Sequence, residues 1–179
     1  MVRASLIWLN YNSLGFMDIA LKSIESVLNL DFNDYEVVIV DNASSDGSFE
    51  KIKEFAEGKR PSGVRIKFVR SDVNRGYAGG MNLGWEARNE DSRYVAFLNN
   101  DLIVEPSSLK DLVNYMESDE KLAAANGLIY FGDSKSIYSA GGYVTDHWTA
   151  GSICGNMLDI RPAGKPFIDE TFYIWMIIY

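Results

Sequence analysis

The sequence predicts an α/β fold, a three-layer α/β/α sandwich around a mostly parallel central sheet. Three observations predict it. Short apolar, β-branched runs alternate along the chain with segments whose apolar residues recur at helical spacing. The connections are of ordinary length, long enough for crossover helices that return each strand parallel to the last. A hydrophobic fraction of 47% in 179 residues is enough for one full core, so a single domain is expected.

Ser5 to Leu9 is a short apolar run bounded by polar residues and reads as a buried strand, after which Asn12 and Ser13 offer an N-cap. Met17, Ala20, Leu21, Ile24, Val27 and Leu28 then share one helical face. Tyr35 to Val40 is β-branched and nearly continuous, the pattern of a strand covered on both faces, and Asp41 ends it. A helix from about Gly47 to Ala56 carries Phe49, Ile52 and Phe55 on one side, with Gly58 and Pro61 as stop signals. Val64 to Val69 reads as a third strand, and N-R-G-Y-A-G-G-M-N-L-G-W as a glycine-rich turn running into a helix through Arg88. Tyr94 to Leu98 is the fourth strand. Pro106 stands where a first helical residue would, with Leu109, Leu112, Val113 and Met116 behind it. A fifth strand is expected over Leu122 to Tyr130. Beyond Phe131 the pattern dissolves into glycine-rich, aromatic segments. The terminal F-Y-I-W-M-I-I-Y is either the last core strand or the point at which the chain stops short of its natural domain end.

Composition narrows the function classes. Seventeen Lys and Arg against 25 Asp and Glu give a net charge of -8, which argues against a nucleic-acid or anionic-membrane partner. The single His147 excludes a histidine-rich zinc site, and the single Cys154 excludes an intrachain disulfide, consistent with a reducing compartment. No apolar run is long enough for a signal peptide or a membrane span, so a cytoplasmic location is expected.

Open α/β sheets bind ligands outside the carboxyl ends of their strands. Here those ends carry Asn10-Tyr11-Asn12, Asp41-Asn42, Asp72 with Asn74, and Asn99-Asn100-Asp101. At any one strand, Asn and Asp serve ordinary turn chemistry; four such ends on one edge point to a polar ligand site. Gly76, Gly79, Gly80 and Gly84 follow the third strand and open a helix whose N-terminus favours an anion. Their spacing is neither the dinucleotide fingerprint nor a phosphate loop, and close helix-to-sheet packing explains Gly80 and Gly84 equally well. A carboxylate flanked by carboxamides, Asp101 beside Asn99 and Asn100, suits a hard ion such as Mg²⁺ or Mn²⁺ bridging to a diphosphate, which a net-acidic chain could not otherwise neutralise. The alternative for Asp101 is a cap on the turn before the next helix.

Read in order, L-N-Y-N-S, V-D-N-A-S-S-D-G-S, N-R-G-Y-A-G-G-M-N-L-G and F-L-N-N-D resemble the successive motifs of family 2 glycosyltransferases of the GT-A fold, especially the rhamnosyltransferase-like branch, over residues 4 to 131. The resemblance implies an inverting transfer of a sugar from a UDP-, GDP- or dTDP-sugar donor to a hydroxyl acceptor, lipid-linked or polysaccharide, with a divalent metal. It implies that Asn10, Tyr11, Asn12, Asp41 and Asn42 contact base and ribose. Asn74, Gly76, Gly79 and Asn82 would shape the donor pocket. Asn99, Asn100 and Asp101 would occupy the D-x-D position, with the carboxylate kept only in its last place and the carboxamides reduced to positioning. Residues 1–131 would form the donor half of the domain and 132–179 an incomplete acceptor-side segment. F-I-D-E-T-F-Y-I is similar to the segment that precedes the family's general base, which makes Asp169 and Glu170 the candidate bases, but W-M-I-I-Y stands where the family carries an E-D pair. Two other readings stand beside the enzyme: a truncated or degenerate nucleotide-sugar-binding domain with little turnover, and an unrelated nucleotide-binding α/β protein without a metal.

Overall fold

The computed structural model describes residues 2–132, 136–144, 150–152 and 175–178, with the backbone alone for 142–144, 150–152 and 175–178. Four parallel strands carry the sheet: β1 (Ala4–Asn10), β2 (Tyr35–Asp41), β3 (Arg65–Arg70) and β4 (Tyr94–Asn99). Helices α1 (Met17–Leu28, after a 3-10 turn at Leu14–Phe16), α2 (Ser48–Lys59), α3 (Gly76–Ala87) and α4 (Ser108–Glu117) intervene or follow. Further short strands are β5 (Ala124–Ala125), β6 (Ile129–Tyr130), β7 (Ile137–Ser139), β8 (Gly142–Val144), β9 (Ala150–Ser152) and β10 (Trp175–Ile178). The main sheet runs β3-β2-β1-β4-β10-β5, with β10 antiparallel to both neighbours. The order reverses between β1 and β4, the topological switch point at which such sheets open a crevice.

Alternation along each strand divides the core into two layers. Leu6, Trp8, Val37, Ile39, Ala96 and Leu98 pack with α1, α2 and α4 on one face. Ile7, Leu9, Val38, Val40 and Val95 meet Met81 of α3 on the other. Both faces are covered, which is why β1 and β2 read as unbroken apolar runs. The Trp8 indole N–H, fully buried, donates to the Ser23 hydroxyl at 3.0 Å, so the largest core residue leaves no orphan donor. At the amino edge of the sheet, buried Glu36 accepts from the Ser5 hydroxyl at 2.7 Å and the Asn89 N–H at 2.5 Å, and lies 3.4 Å from Lys67.

Gly84 is where α3 touches the sheet. A Cβ there would collide with the side chains of Ile7 and Val40, both fully buried. Gly84→Ala is therefore expected to cost about 1–3 kcal/mol in urea denaturation, through overpacking and not through helix propensity, for which alanine is the better residue. A variant as stable as the parent would mean that α3 floats on the sheet.

Several boundaries differ from expectation. Helix α2 runs past Gly58 to Lys59 and begins after Gly47, which takes φ +82° at the cap, so the stop comes at Arg60 and not at Ala56. Pro106 is not the first residue of α4; Ser107 is the N-cap, and the Pro106 carbonyl instead accepts from the Asp31 N–H at 2.7 Å. Ser13 precedes the 3-10 turn without capping it through its side chain. The single fifth strand expected over Leu122 to Tyr130 is two: β5 joins the main sheet and β6 pairs with β7 in a separate hairpin, the chain leaving the sheet at Asn126-Gly127, a pair suited to turning. The backbone of the W-M-I-I run is a core-sheet strand, inserted between β4 and β5.

Candidate functional site

Strand register assembles the site. Asn10 lies opposite Asp41, Asp41 opposite Arg70, and Leu9 opposite Asn99, so the polar ends of four strands reach one edge at one height. The ends of β1 and β2 are locked together by Asn10. Its side chain is fully buried, and Nδ2 has acceptors at Asp41 Oδ1 (2.9 Å), Ser44 Oγ (3.1 Å) and Ser48 Oγ (3.1 Å). Its Oδ1 accepts from the Ser13 hydroxyl at 2.5 Å and from Asn100 Nδ2 at 3.2 Å. Asp41 is equally buried; its second oxygen accepts the Ser44 N–H at 3.0 Å and faces Arg70 Nε at 3.3 Å. A buried carboxylate requires such partners, and Arg70 is itself held, donating to Glu50 and to the Ser44 carbonyl at 2.8 Å each and lying over the Phe49 ring.

The two loops above this layer are stitched strand to strand. Asn12, at φ +45°, donates its N–H to Ser44 Oγ and accepts the Ser45 N–H on Oδ1, both at 2.9 Å. Asp46 accepts the N–H groups of Leu14 (2.8 Å) and Ser48 (2.9 Å). Burial alone would raise the Asp46 carboxyl, but hydrogen bonds from Ser48 and from the Leu14 backbone hold it below the usual carboxylate range. Tyr11 rises from this platform 45% exposed. Asn42 performs the same task one strand over: its Nδ2 reaches Asn74 Oδ1 and the Gly76 carbonyl at 3.0 Å each, and its Oδ1 accepts the Arg75 N–H at 2.9 Å. The D-N and N-R-G motifs, 32 residues apart, are thus one structural unit that sets the N-terminus of α3. Gly76 turns that corner at φ +68°. Gly79 lies against Arg75, and Gly80 lies under Leu9 and Asn42, where an added Cβ would meet Leu9 at 2.6 Å. Asn82 is exposed on α3, with no hydrogen bond among the described residues to the strand-end loops.

At the end of β4 the three polar residues divide. Asn100 turns back to Asn10, whereas Asn99 and Asp101 line a cleft of about 470 Å³. Its other walls are Tyr77 from α3, Phe97 and Leu102 from around β4, and the β6–β7 hairpin. Tyr77 is 56% exposed, yet partial burial pushes its phenol above the ordinary value, leaving a neutral donor. Among the described residues no three of His, Cys, Asp and Glu gather as a metal cage. Asp101 is the one carboxylate among the described residues of the cleft, with the Asn99 carboxamide beside it. This donor set fits a hard ion that takes most of its ligands from water and phosphate oxygens, the habit of Mg²⁺.

Sequence reasoning missed Ser44, Asp46, Ser48 and Arg70, although the composition of D-N-A-S-S-D-G-S signalled a hydrogen-bonding loop. It also missed the aromatic walls of the cleft, which carry no local motif. Asp169 and Glu170 lie outside the described residues.

The family model described as Glycosyl transferase family 2 matches residues 5–177. An uncharacterized glycosyltransferase of Nostoc sp. is 30% identical over 140 residues, 78% of this chain and 41% of the relative. One from Haemophilus influenzae is 24% identical over 158 residues, 85% and 46% of the two chains. This chain therefore spans less than half the length of these curated relatives. In fold it is similar to the mannosyltransferase PcManGT from Pyrobaculum calidifontis, solved in complex with GDP-Man and Mn²⁺ (TM-score 0.63, 21% identity, 72% of this chain and 36% of that one). It is also similar to S. aureus TarS 1-349 in complex with UDP (TM-score 0.55, 21% identity, 71% and 34%).

Proposed function

The chain belongs to glycosyl transferase family 2, and from that premise we propose that it binds a nucleotide-diphospho-sugar and transfers the sugar, with inversion, to a hydroxyl acceptor, glycolipid or polysaccharide. The observation that carries this reading is the hydrogen-bonded carboxyl edge, in which Asn10 and Asn42 stitch three strand-end loops beside a cleft holding Asp101. Tyr11, Asn12 and the loop built on Asp41 and Asn42 form the surface for base and ribose. Asn10 and Asp41, both buried, act on the nucleotide by holding that surface in place. Rigid placement of this kind is what a transfer enzyme needs to align donor and acceptor.

The diphosphate belongs between the N-terminus of α3, whose backbone dipole favours an anion, and Asp101. Asp101, with Asn99, would hold Mg²⁺ or Mn²⁺ there. Such an ion, when bound, supplies positive charge against the charge developing on the leaving nucleoside diphosphate. The rhamnosyltransferase-like branch is our reading of the four motifs and makes a deoxyhexose donor a first candidate. Residues 1–131 form the donor half on this reading and 132–179 the acceptor side, where Asp169 or Glu170 would deprotonate the acceptor hydroxyl.

A second reading, a donor-binding domain with little turnover, is favoured by one observation: Asp101 is the sole carboxylate among the described residues of the cleft, and an ion-holding group cannot also be the base. Among the described residues no helix is long and apolar enough to cross a membrane.

Thermal denaturation with UDP-, GDP- and dTDP-sugars, each with and without Mn²⁺, tests the donor site. One nucleotide class at about 100 times its Kd is expected to stabilise the chain by about 2.7 kcal/mol, with the larger shift when Mn²⁺ is present. No shift with any of them sinks the donor-site reading. A shift without transfer to a saccharide acceptor favours the second.

A further inference from the structure

Beyond Asp101 and Asn99 the cleft is walled by aromatic rings. Tyr77 stands on α3, while Phe131 and Tyr138 stand on the β6–β7 hairpin, 42% and 49% exposed. Single exposed apolar residues need no explanation, but three around one cleft mark a surface kept for a ligand. Phe131 and Tyr138 meet edge to face, centroids 5.1 Å apart at 86°, so each ring holds the other's orientation before any ligand arrives. Phe97, also in the lining, is stacked on Trp85 with centroids 6.2 Å apart at 16°.

The ligand class follows from this mixture. A lipid tail would bury Asp101 and Asn99 with no partner, a costly exchange. A nucleobase is flat enough, but no described residue of β1 or β2 or of the loops after them lines the cleft, and those loops carry the base-and-ribose surface. A pyranose has what the cleft asks for: a face of axial C–H groups to lay on a ring, and hydroxyls at its edge for the Asn99 carboxamide and the Tyr77 phenol. The volume of about 470 Å³ lies within the usual range of small-molecule sites. We propose that Phe131 and Tyr138, opposed by Tyr77, form a stacking subsite for a pyranose ring next to Asp101. The assignment rests on the glycosyltransferase reading of that edge. Two sources offer the same ring, the donor's own sugar and a saccharide acceptor.

Saturation-transfer NMR of the full chain with cellobiose and with N,N′-diacetylchitobiose tests the acceptor arm, with and without UDP and GDP. Calorimetry comparing UDP-glucose with UDP, and GDP-mannose with GDP, tests the donor arm. The expected result is stronger saturation of the protons on one pyranose face than on the other, or a nucleotide sugar that binds better than its bare nucleotide. In Phe131→Ala and Tyr138→Ala that contact should weaken about tenfold, and Phe131→Trp should retain it. A loss confined to the disaccharides assigns the platform to the acceptor, and a loss confined to the nucleotide sugars assigns it to the donor. Unchanged contact in both alanine variants, or no saccharide contact in either arm, overturns the proposal. Retained UDP or GDP affinity in the variants shows that the fold is intact. Failure of UDP and GDP to bind the unsubstituted chain would instead remove the donor-site reading, while the nucleotide-free disaccharide arm still decides the platform.

Discussion

Replacing Asp101 by Asn is expected to lower sugar transfer by about 10²–10³-fold and to abolish the Mn²⁺-dependent part of nucleotide affinity. The substitution keeps the shape and removes the charge, so it separates the ion-holding role from packing. Asp101 is exposed and makes no hydrogen bond among the described residues, so the free chain should unfold within about 0.5 kcal/mol of the parent. Calorimetry with UDP and GDP, with and without Mn²⁺, checks the binding half, and a radiolabelled-sugar transfer assay checks the other. Unchanged Mn²⁺ dependence would return Asp101 to the role of a turn residue. Loss of affinity without Mn²⁺ present would mean that the carboxylate acts on the nucleotide directly.

Asn10→Ala should do the opposite, damaging the scaffold first. It removes the donor shared by Asp41, Ser44 and Ser48 and the acceptor used by Ser13 and Asn100, and of these partners all but Asn100 are buried. Among the described residues, buried Asp41 Oδ1 and the Ser13 hydroxyl then lack a partner, and the Ser44 and Ser48 hydroxyls each lose one. About 3 kcal/mol of stability should be lost, or about 6–12 °C in Tm for a chain of this length. Nucleotide affinity should fall with it, because the loops bearing Tyr11, Asn12 and Asn42 lose their common anchor. Asn12→Ala is the control: its side chain, on the platform surface, accepts one hydrogen bond from the Ser45 N–H, and its loss should cost about 1 kcal/mol. If Asn10→Ala unfolds within 1 kcal/mol of the parent, the hydrogen bonds around it do not act as a unit.

The contrast between these residues marks what could be read from the chain. Asn10 and Asp101 are both polar residues at the end of an apolar strand, and in sequence they look alike. One is fully buried and holds five partners; the other is exposed in a cleft. Burial depends on what the neighbouring strands bring, and Asp41, Ser44 and Ser48 arrive from more than thirty residues away. Asn99 and Asn100 show the same effect at shorter range. Adjacent side chains at a strand end diverge, so Asn99 enters the cleft and Asn100 closes onto Asn10, a division that the triplet N-N-D does not announce. The glycines were more legible: the packing explanation holds for Gly80 and Gly84, which lie against the sheet, and Gly76 turns a backbone corner.

What the sequence by itself determined is the layered α/β fold and the edge at which its polar residues collect. Both follow from local periodicity: unbroken apolar runs require cover on two faces, helical spacing supplies it, and strands of similar length in register bring their ends to one height. Only the tertiary structure decided which of those polar residues are buried framework and which line the cleft. It also decided that an antiparallel W-M-I-I strand enters between β4 and β5, and that Phe131, Tyr138 and Tyr77 line one cleft. These outcomes depend on contacts between segments far apart in the chain, and no local pattern encodes which distant partner a side chain will meet.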